Sequence, residues 1–413
     1  MIGQEVILGG WVEDLRKMGK MTFLTLRDAT GITQIILTDD VIKSIDDITR
    51  QSVVRVAGKI QDTKARDFEC EIKANEINVL ARAVHPLPID PIGRLESHID
   101  NRLNSRALDM RNQKTASIFK IRHHVLASLR QTFLEKKFTE ITTPKIIGSA
   151  SEGGANLFSL DYFGKQAYLA QSPQLYKEQM TIGLERVFEI ASFYRAEKSH
   201  TGRHLSEFTS VDMEAAFMDY SDVMDVLEDL VLNTFKHVSE NCKDEQEIIG
   251  NQIIVPDRPF KKITYSDAID ELNKKDIKLE FGDDLLDSHL RIIGENHTGF
   301  YFLTDWPIKL KPFYIMENQD NPEISESFDL QFGYLELSSG GTRLHNPEKI
   351  KNRLAEQGLD PAKFSEHLQA FDWGMPPHAG WGLGLERLLT IIIGIDNVRE
   401  VILYPRDPER LKP

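Results

Sequence analysis

Between residues 5 and 80 apolar and polar positions alternate in five short runs, EVILGGWV, MTFLTLRD, TQIILT, SVVRVAGKI and ECEIKANEINVL. Turn-forming stretches such as Lys17-Met18-Gly19-Lys20 and Asp28-Ala29-Thr30-Gly31 separate them, so the period of two predicts five strands. Five strands within residues 1–85 predict a small closed barrel, and the OB-fold is the leading arrangement. On its open strand face Phe23, Arg27 and Gln34 offer a ring to stack a base and polar groups to read its edges. Periodicity alone reads an isolated Phe23 as core.

Pro86, Pro88 and Pro91 then stiffen a connection that cannot continue a sheet, and residues 86–114 are read as a linker. The period changes to 3.6 from about Thr115 to Lys137, where Ile118, Ile121, Val125, Leu129 and Phe133 predict an amphipathic helix. Strand patterns follow around a Gly-Gly loop behind Glu152 and in AYLAQSPQLYKEQM, where a strand runs into a helix that Pro173 can open. Residues from 220 to about 300 read as a helical insertion followed by an acidic module, before strands return in FYFLTDWP, SFDLQFGYLELSSGG and AGWGLGLERLL. Few regular βα units occur, which predicts an α+β domain over 115–413 with a central antiparallel sheet flanked by helices.

Composition adds bounds. A chain of 413 residues is too long for one ordinary core and predicts two domains. No apolar run reaches the roughly 20 residues of a bilayer span, and the protein is read as cytoplasmic, without a membrane partner. Its two cysteines, Cys70 and Cys242, suggest neither a disulfide framework nor a zinc site. A formal charge of −14 argues against non-specific binding to polyanions, which depends on Lys and Arg displacing counterions. A specific RNA contact on a local surface remains compatible with that charge.

Candidate chemistry begins with residues 193–217, FYRAEKSHTGRHLSEFTSVDMEAAF, which predict two strands joined by a polar loop. Pairing would place Arg195, Glu197, Asp212 and Glu214 on one sheet face, too charged to pack against an apolar layer. Such a face is either a solvated hairpin or the wall of a wet cleft. Three further segments carry polar groups that a core rejects: Gln174/Lys177, Asp329/Glu336/Ser339/Arg343 and His378/Glu386/Arg387.

Taken together and in this order, these segments resemble the class II aminoacyl-tRNA synthetases. FYRAE…RHLSEF is similar to motif 2, GWGLGLERLL to motif 3, and the helix-strand unit ending in Thr143-Pro144 to motif 1. QSPQLYK, SSGGTR, GMPPHAGWGLGLERL and YPRDPERLKP resemble the archaeal-type aspartyl branch. The resemblance implies ATP-dependent activation of L-aspartate and its transfer to tRNA(Asp), in a homodimer built on motif 1. It implies catalytic roles for Arg195 and Arg387, with Arg195 on the α-phosphate and Arg387 on the γ-phosphate. Glu197, Arg203, His204, Leu205, Phe208, Glu336 and Gly384 complete the implied ATP site, with Phe208 stacking on adenine. Asp329, Glu336 and Ser339 match ligands of Mg²⁺, a cation that prefers hard oxygens. Glu152, Gln174, Lys177, Asp212, Arg343 and His378 match the amino-acid site, where Lys177 and Arg343 would face the aspartate side-chain carboxylate. Phe23, Arg27, Gln34 and Glu71 fall where the barrel of the family reads the anticodon, against the reading of Phe23 as core. Relatives restricted to tRNA(Asp) often carry Trp where this chain has Glu13, which leaves tRNA(Asn) open as a second acceptor. The rival readings are an asparaginyl enzyme and an ATP-dependent enzyme that makes asparagine without tRNA. Lys177 and Asp407 weigh against the first, and the N-terminal barrel against the second.

Overall fold

The computed structural model describes residues 1–43, 48–63, 65–148, 157–197, 202 and 205–413. The chain divides into two compact units, Met1–Arg111 and Asn112–Pro413. Strands β1 (Glu5–Met18), β2 (Met21–Arg27), β3 (Ile32–Thr38), β4 (Val53–Gln61) and β5 (Glu71–Ala81) close into a barrel in the order β1-β2-β3-β5-β4. Alternation decides which side chains fill it: Leu24 and Leu26 point inward with Ile35, Leu37, Val54 and Val56. Phe23 lies between the inward residues Thr22 and Leu24 and is half-exposed on the outer face, so the core reading of this ring is overturned. Residues 86–114 are not wholly extended, since they contain short helices at Ile99–Asn104 and Arg106–Asp109.

In the second unit the strands are β6 (Thr139–Glu140), β7 (Ile146–Ile147), β8 (Ser159–Tyr162), β9 (Lys165–Leu169), β10 (Arg186–Tyr194), β11 (Glu207–Ala216), β12 (Lys261–Thr264), β13 (Phe300–Thr304), β14 (Ser327–Phe332), β15 (Leu335–Thr342) and β16 (His378–Gly384). Eight of them form one sheet in the order β12-β13-β14-β15-β16-β11-β10-β6. Its centre is antiparallel, while the outermost pairs β12/β13 and β10/β6 are parallel. Strands β7, β9 and β8 make a small separate sheet.

One face of the large sheet is apolar. Phe188, Val211, Met213, Ala379, Trp381 and Leu383 pack against helices Gln113–Glu135, Tyr220–Asn241 and Leu385–Ile393. The period-two rule then sends Glu189, Asp212 and Glu214 to the opposite face. Residues 220–300, read from sequence as an insertion, supply a helix of this apolar layer and the edge strand β12. Val223, Leu227, Leu230 and Val231 are fully buried at the i, i+3 and i+4 spacing of one helix face, so the segment is part of the layer that closes the core.

Candidate active site

The polar face becomes a site through three neighbouring strands. Register places Asp212 opposite Gly382 and Glu214 opposite Gly380, with Gly341 of β15 next to Gly380. A Cβ on Gly380 would collide with the Glu214 carboxylate and the Met213 carbonyl, so glycine there makes room for a buried acid between two strands. Beside them opens a cavity of about 320 Å³.

Its walls bring distant segments together. Arg195, just beyond β10, lies with its guanidinium carbon 5.3 Å from the ring centre of Phe208 and a nitrogen 3.7 Å from Glu197. Across the cavity, Arg387 Nη1 donates to the backbone carbonyl of Glu336 at 2.6 Å. The helix that carries Arg387 is tied down by Glu386, whose carboxylate accepts from Thr209 N at 2.9 Å and Arg122 Nη1 at 3.0 Å. Leu205, Ser339 and Gly384 complete this part of the lining.

Gln174, Ser210, Asp212 and Arg343 form the polar floor. Arg343 holds Glu214 in a two-pronged contact, Nε to Oε1 at 2.9 Å and Nη2 to Oε2 at 3.3 Å. Burial works against its charge, but the Glu214 carboxylate outweighs this and raises the Arg343 pKa above its ordinary value. Lys177 donates to Asp212 Oδ1 and the Trp381 carbonyl, both at 3.0 Å, and lies 3.5 Å from Glu214. Ser210 Oγ donates to the other oxygen of Asp212.

Most of the expected residues therefore meet in one cavity, with some displaced from the position expected. Lys177 and His378 lie behind the floor, not in the lining, and Lys177 turns to the acids of β11. The reason is that a buried ammonium needs a fixed counter-charge, and those two carboxylates supply it. Asp329 is likewise outside the lining, with both oxygens held by Lys311 Nζ at 3.2 and 3.1 Å. Burial, followed by the neighbouring Asp329, raises the pKa of Glu336, while Arg387, Lys311 and Arg195 oppose the shift. Glu152, Arg203 and His204 lie outside the described residues. Sequence reasoning missed Lys311 and Tyr314 as lining residues; a lone Lys in a loop carries no signal that it will face a carboxylate.

On the barrel, Glu71 accepts hydrogen bonds from Gln34 Nε2 at 2.8 Å, Gln61 Nε2 at 2.9 Å and Thr63 Oγ1 at 3.1 Å. Arg27 pairs with Glu13 at 2.9 Å and stacks over Trp11.

Residues 98–408 match the family of class II tRNA synthetases (D, K and N), and residues 6–80 match the OB-fold nucleic acid binding domain. The chain belongs to the class II tRNA synthetases. It is 43% identical to the aspartate–tRNA(Asp/Asn) ligase of Methanothermobacter thermautotrophicus, covering 100% of this chain and 96% of that protein. The aspartate–tRNA(Asp) ligase of Thermoplasma volcanium is also 43% identical, over 98% of this chain and 95% of its own length. Among solved structures, the asparaginyl-tRNA synthetase of Pyrococcus horikoshii in complex with asparaginyl-adenylate superposes with a TM-score of 0.92 at 33% identity, covering 100% and 97% of the two chains. Synthetases named for different amino acids thus share this fold.

Proposed function

We propose that this synthetase is an aspartate–tRNA ligase. It activates L-aspartate with ATP and transfers the aspartyl group to tRNA(Asp) and, because Glu13 stands on the barrel, also to tRNA(Asn). The observation that carries the reading is Arg343, a buried guanidinium that lines the floor of the cleft, with Lys177 directly behind it. An aspartate side chain there gains a charge-assisted contact with the Arg343 guanidinium that the neutral amide of asparagine cannot match. The 43% identity to aspartate–tRNA ligases supports the same choice.

In this reading the aspartate ammonium sits on Asp212, with Gln174 alongside, and the side-chain carboxylate points to Arg343. One α-carboxylate oxygen attacks the α-phosphorus of ATP while the bond from that phosphorus to the bridging oxygen breaks and pyrophosphate leaves. Arg195 neutralises charge that builds on the phosphoryl oxygens, and Phe208 stacks on adenine with Arg195 over the same ring. Arg387 holds the γ-phosphate. The terminal ribose hydroxyl of the tRNA then attacks the aspartyl carbonyl, and AMP departs. No side chain forms a covalent intermediate; positioning and fixed charge carry the rate.

Glu336 and Asp329 suit Mg²⁺, because burial and then the nearby Asp329 raise the pKa of Glu336, and a cation beside the two carboxylates would offset that repulsion. Ser339 stands opposite Asp329 in the β14/β15 register and would complete the oxygen set. When bound, Mg²⁺ would offset charge on the phosphates. The helix Gln113–Glu135 and the segment to Pro144 are proposed as the homodimer contact, and Phe23, Gln34 and Glu71 as the anticodon face. No helix among the described residues is long and apolar enough to cross a membrane, in keeping with work in the cytoplasm.

Pyrophosphate exchange dependent on aspartate or on asparagine tests the reading, together with aspartate charging of tRNA(Asp) and tRNA(Asn) transcripts. Exchange with aspartate and charging of both transcripts is expected. Exchange with asparagine alone would overturn the assignment.

A further inference from the structure

Behind the floor lies a buried group that the mechanism above does not use. Glu178 follows Lys177 on the helix Gln174–Leu184 and is fully buried. Its Oε1 accepts from the amide of Gln174, the cleft-lining side chain one turn earlier. Its Oε2 faces two imidazoles, His367 Nε2 at 3.4 Å and His378 Nε2 at 3.7 Å.

The far side of each ring fixes its protonation. His378 Nδ1 lies 2.8 Å from the carbonyl oxygen of Pro376, which can only accept, so Nδ1 carries a hydrogen. A neutral His378 would then aim a bare lone pair at a carboxylate, whereas an imidazolium directs N–H toward it. His367 Nδ1 lies 3.4 Å from the amide nitrogen of Gln179, which can only donate, so Nδ1 accepts and Nε2 carries its hydrogen toward Glu178.

The charges can now be counted. Lys177, Arg343 and His378 oppose Asp212, Glu214 and Glu178, and each of the six is at most 3% exposed. The cluster is balanced only while His378 is charged. It is also continuous with the cleft, because Arg343 N donates to the His378 carbonyl at 2.9 Å and Arg343 lines the cavity. Burial disfavours the imidazolium, but Glu178 first, and Glu214 behind it, outweigh that and raise the His378 pKa above its ordinary value.

We propose that Glu178 and His378 are specificity-determining positioning residues, with Glu178 holding Gln174 in the cleft and keeping His378 as the imidazolium whose positive charge lets the floor accept the aspartate carboxylate in preference to an amide. The inference rests on the reading of this protein as an aspartate-activating enzyme. Loss of the imidazolium proton would give the six-residue cluster a surplus negative charge. An incoming carboxylate would then be opposed, while the neutral amide of asparagine would be affected far less. The groups facing His378 are Glu178 from its helix, Glu214 from β11, and, through Glu178, His367 from the helix Ser365–Asp372. Arg343 lies alongside through its backbone bond.

The test uses the full-length enzyme, with aspartate-dependent pyrophosphate exchange and asparagine as competing inhibitor, over a range of pH. Preference is the asparagine inhibition constant divided by the aspartate KM. In the unaltered enzyme it should fall as pH rises through the titration of His378. His378→Gln should lower it about tenfold at neutral pH and flatten the profile, with the KM for ATP unchanged. Glu178→Gln should move the fall to lower pH, since the anion that holds the proton is gone. A flat preference in the unaltered enzyme overturns the inference, and that arm needs no variant to fold. Equal losses for both amino acids in both variants, the mark of a merely structural role, overturn it too. Absence of any aspartate-dependent exchange overturns the parent reading along with it.

Discussion

Arg195 and Lys177 are both cations of the site, yet they work in different dielectric surroundings. Arg195 has a side chain about half exposed and borders an open cavity, so in the proposed reaction its charge would be available to a phosphate that arrives with ATP. Lys177 is 2% exposed and already balanced by Asp212 and Glu214, so in the proposed reaction its contribution would reach the substrate through the acids it holds. Arg195→Ala should therefore lower aspartate-dependent pyrophosphate exchange about 10²–10³-fold while leaving the urea midpoint nearly unchanged. Unaltered exchange in that variant would remove Arg195 from the transition state. Arg195 was legible in the sequence because motif 2 surrounds it with other distinctive residues. Glu178 was not, because an acid beside a lysine on a helix reads as a surface pair until the fold buries it.

At the scale of the element, β16 shows why glycines alternate with apolar residues along one strand. Ala379, Trp381 and Leu383 enter the core, while Gly380, Gly382 and Gly384 lie on the face of Asp212 and Glu214. Space on that face is occupied by the carboxylates of the next strand; a Cβ on Gly382 would come within 3.1 Å of Asp212 Oδ1. Gly380→Ala should push Glu214 from Arg343, cost about 1–3 kcal/mol in a denaturant titration and raise the aspartate KM more than the ATP KM. Equal changes in the two constants would show that the strand moved as a whole. The alternation was readable along the chain, and so was the helix Gln113–Glu135. The place of Tyr220–Asn241 in the central layer was not, since an amphipathic pattern tells that a face is buried without telling which sheet buries it.

Across the whole molecule, the buried charges tie stability to pH from two sides. Burial tends to raise the Glu178 pKa, but His367 and His378 outweigh it and hold the group well below the ordinary carboxylate range. Its contribution is therefore complete above the pKa of an unfolded glutamate and is lost as pH falls. The His378 pKa is raised, so its contribution is complete below the unfolded histidine value and disappears as pH rises through the folded one. The urea midpoint should pass through a maximum between these limits. Glu178→Gln should flatten the acid limb; an acid limb unchanged by that substitution would place the dependence elsewhere.

The sequence by itself determined the barrel, the α+β class of the larger unit, the family and the residues of its motifs. Local periodicity and short motifs carry that information, because strand alternation, helical spacing and motif spacing are properties of neighbours along the chain. Only the tertiary structure decided the partners of the buried charges. Lys177 and Asp212 are 35 residues apart, and the contact of Arg343 with Glu214 spans 129. Whether a charged side chain is a solvated surface group or part of a balanced interior cluster depends on the other segments packed around it. That depth of burial and choice of counter-charge made the strand Glu207–Ala216, with Arg195 just beyond the strand Arg186–Tyr194, one wall of a cleft.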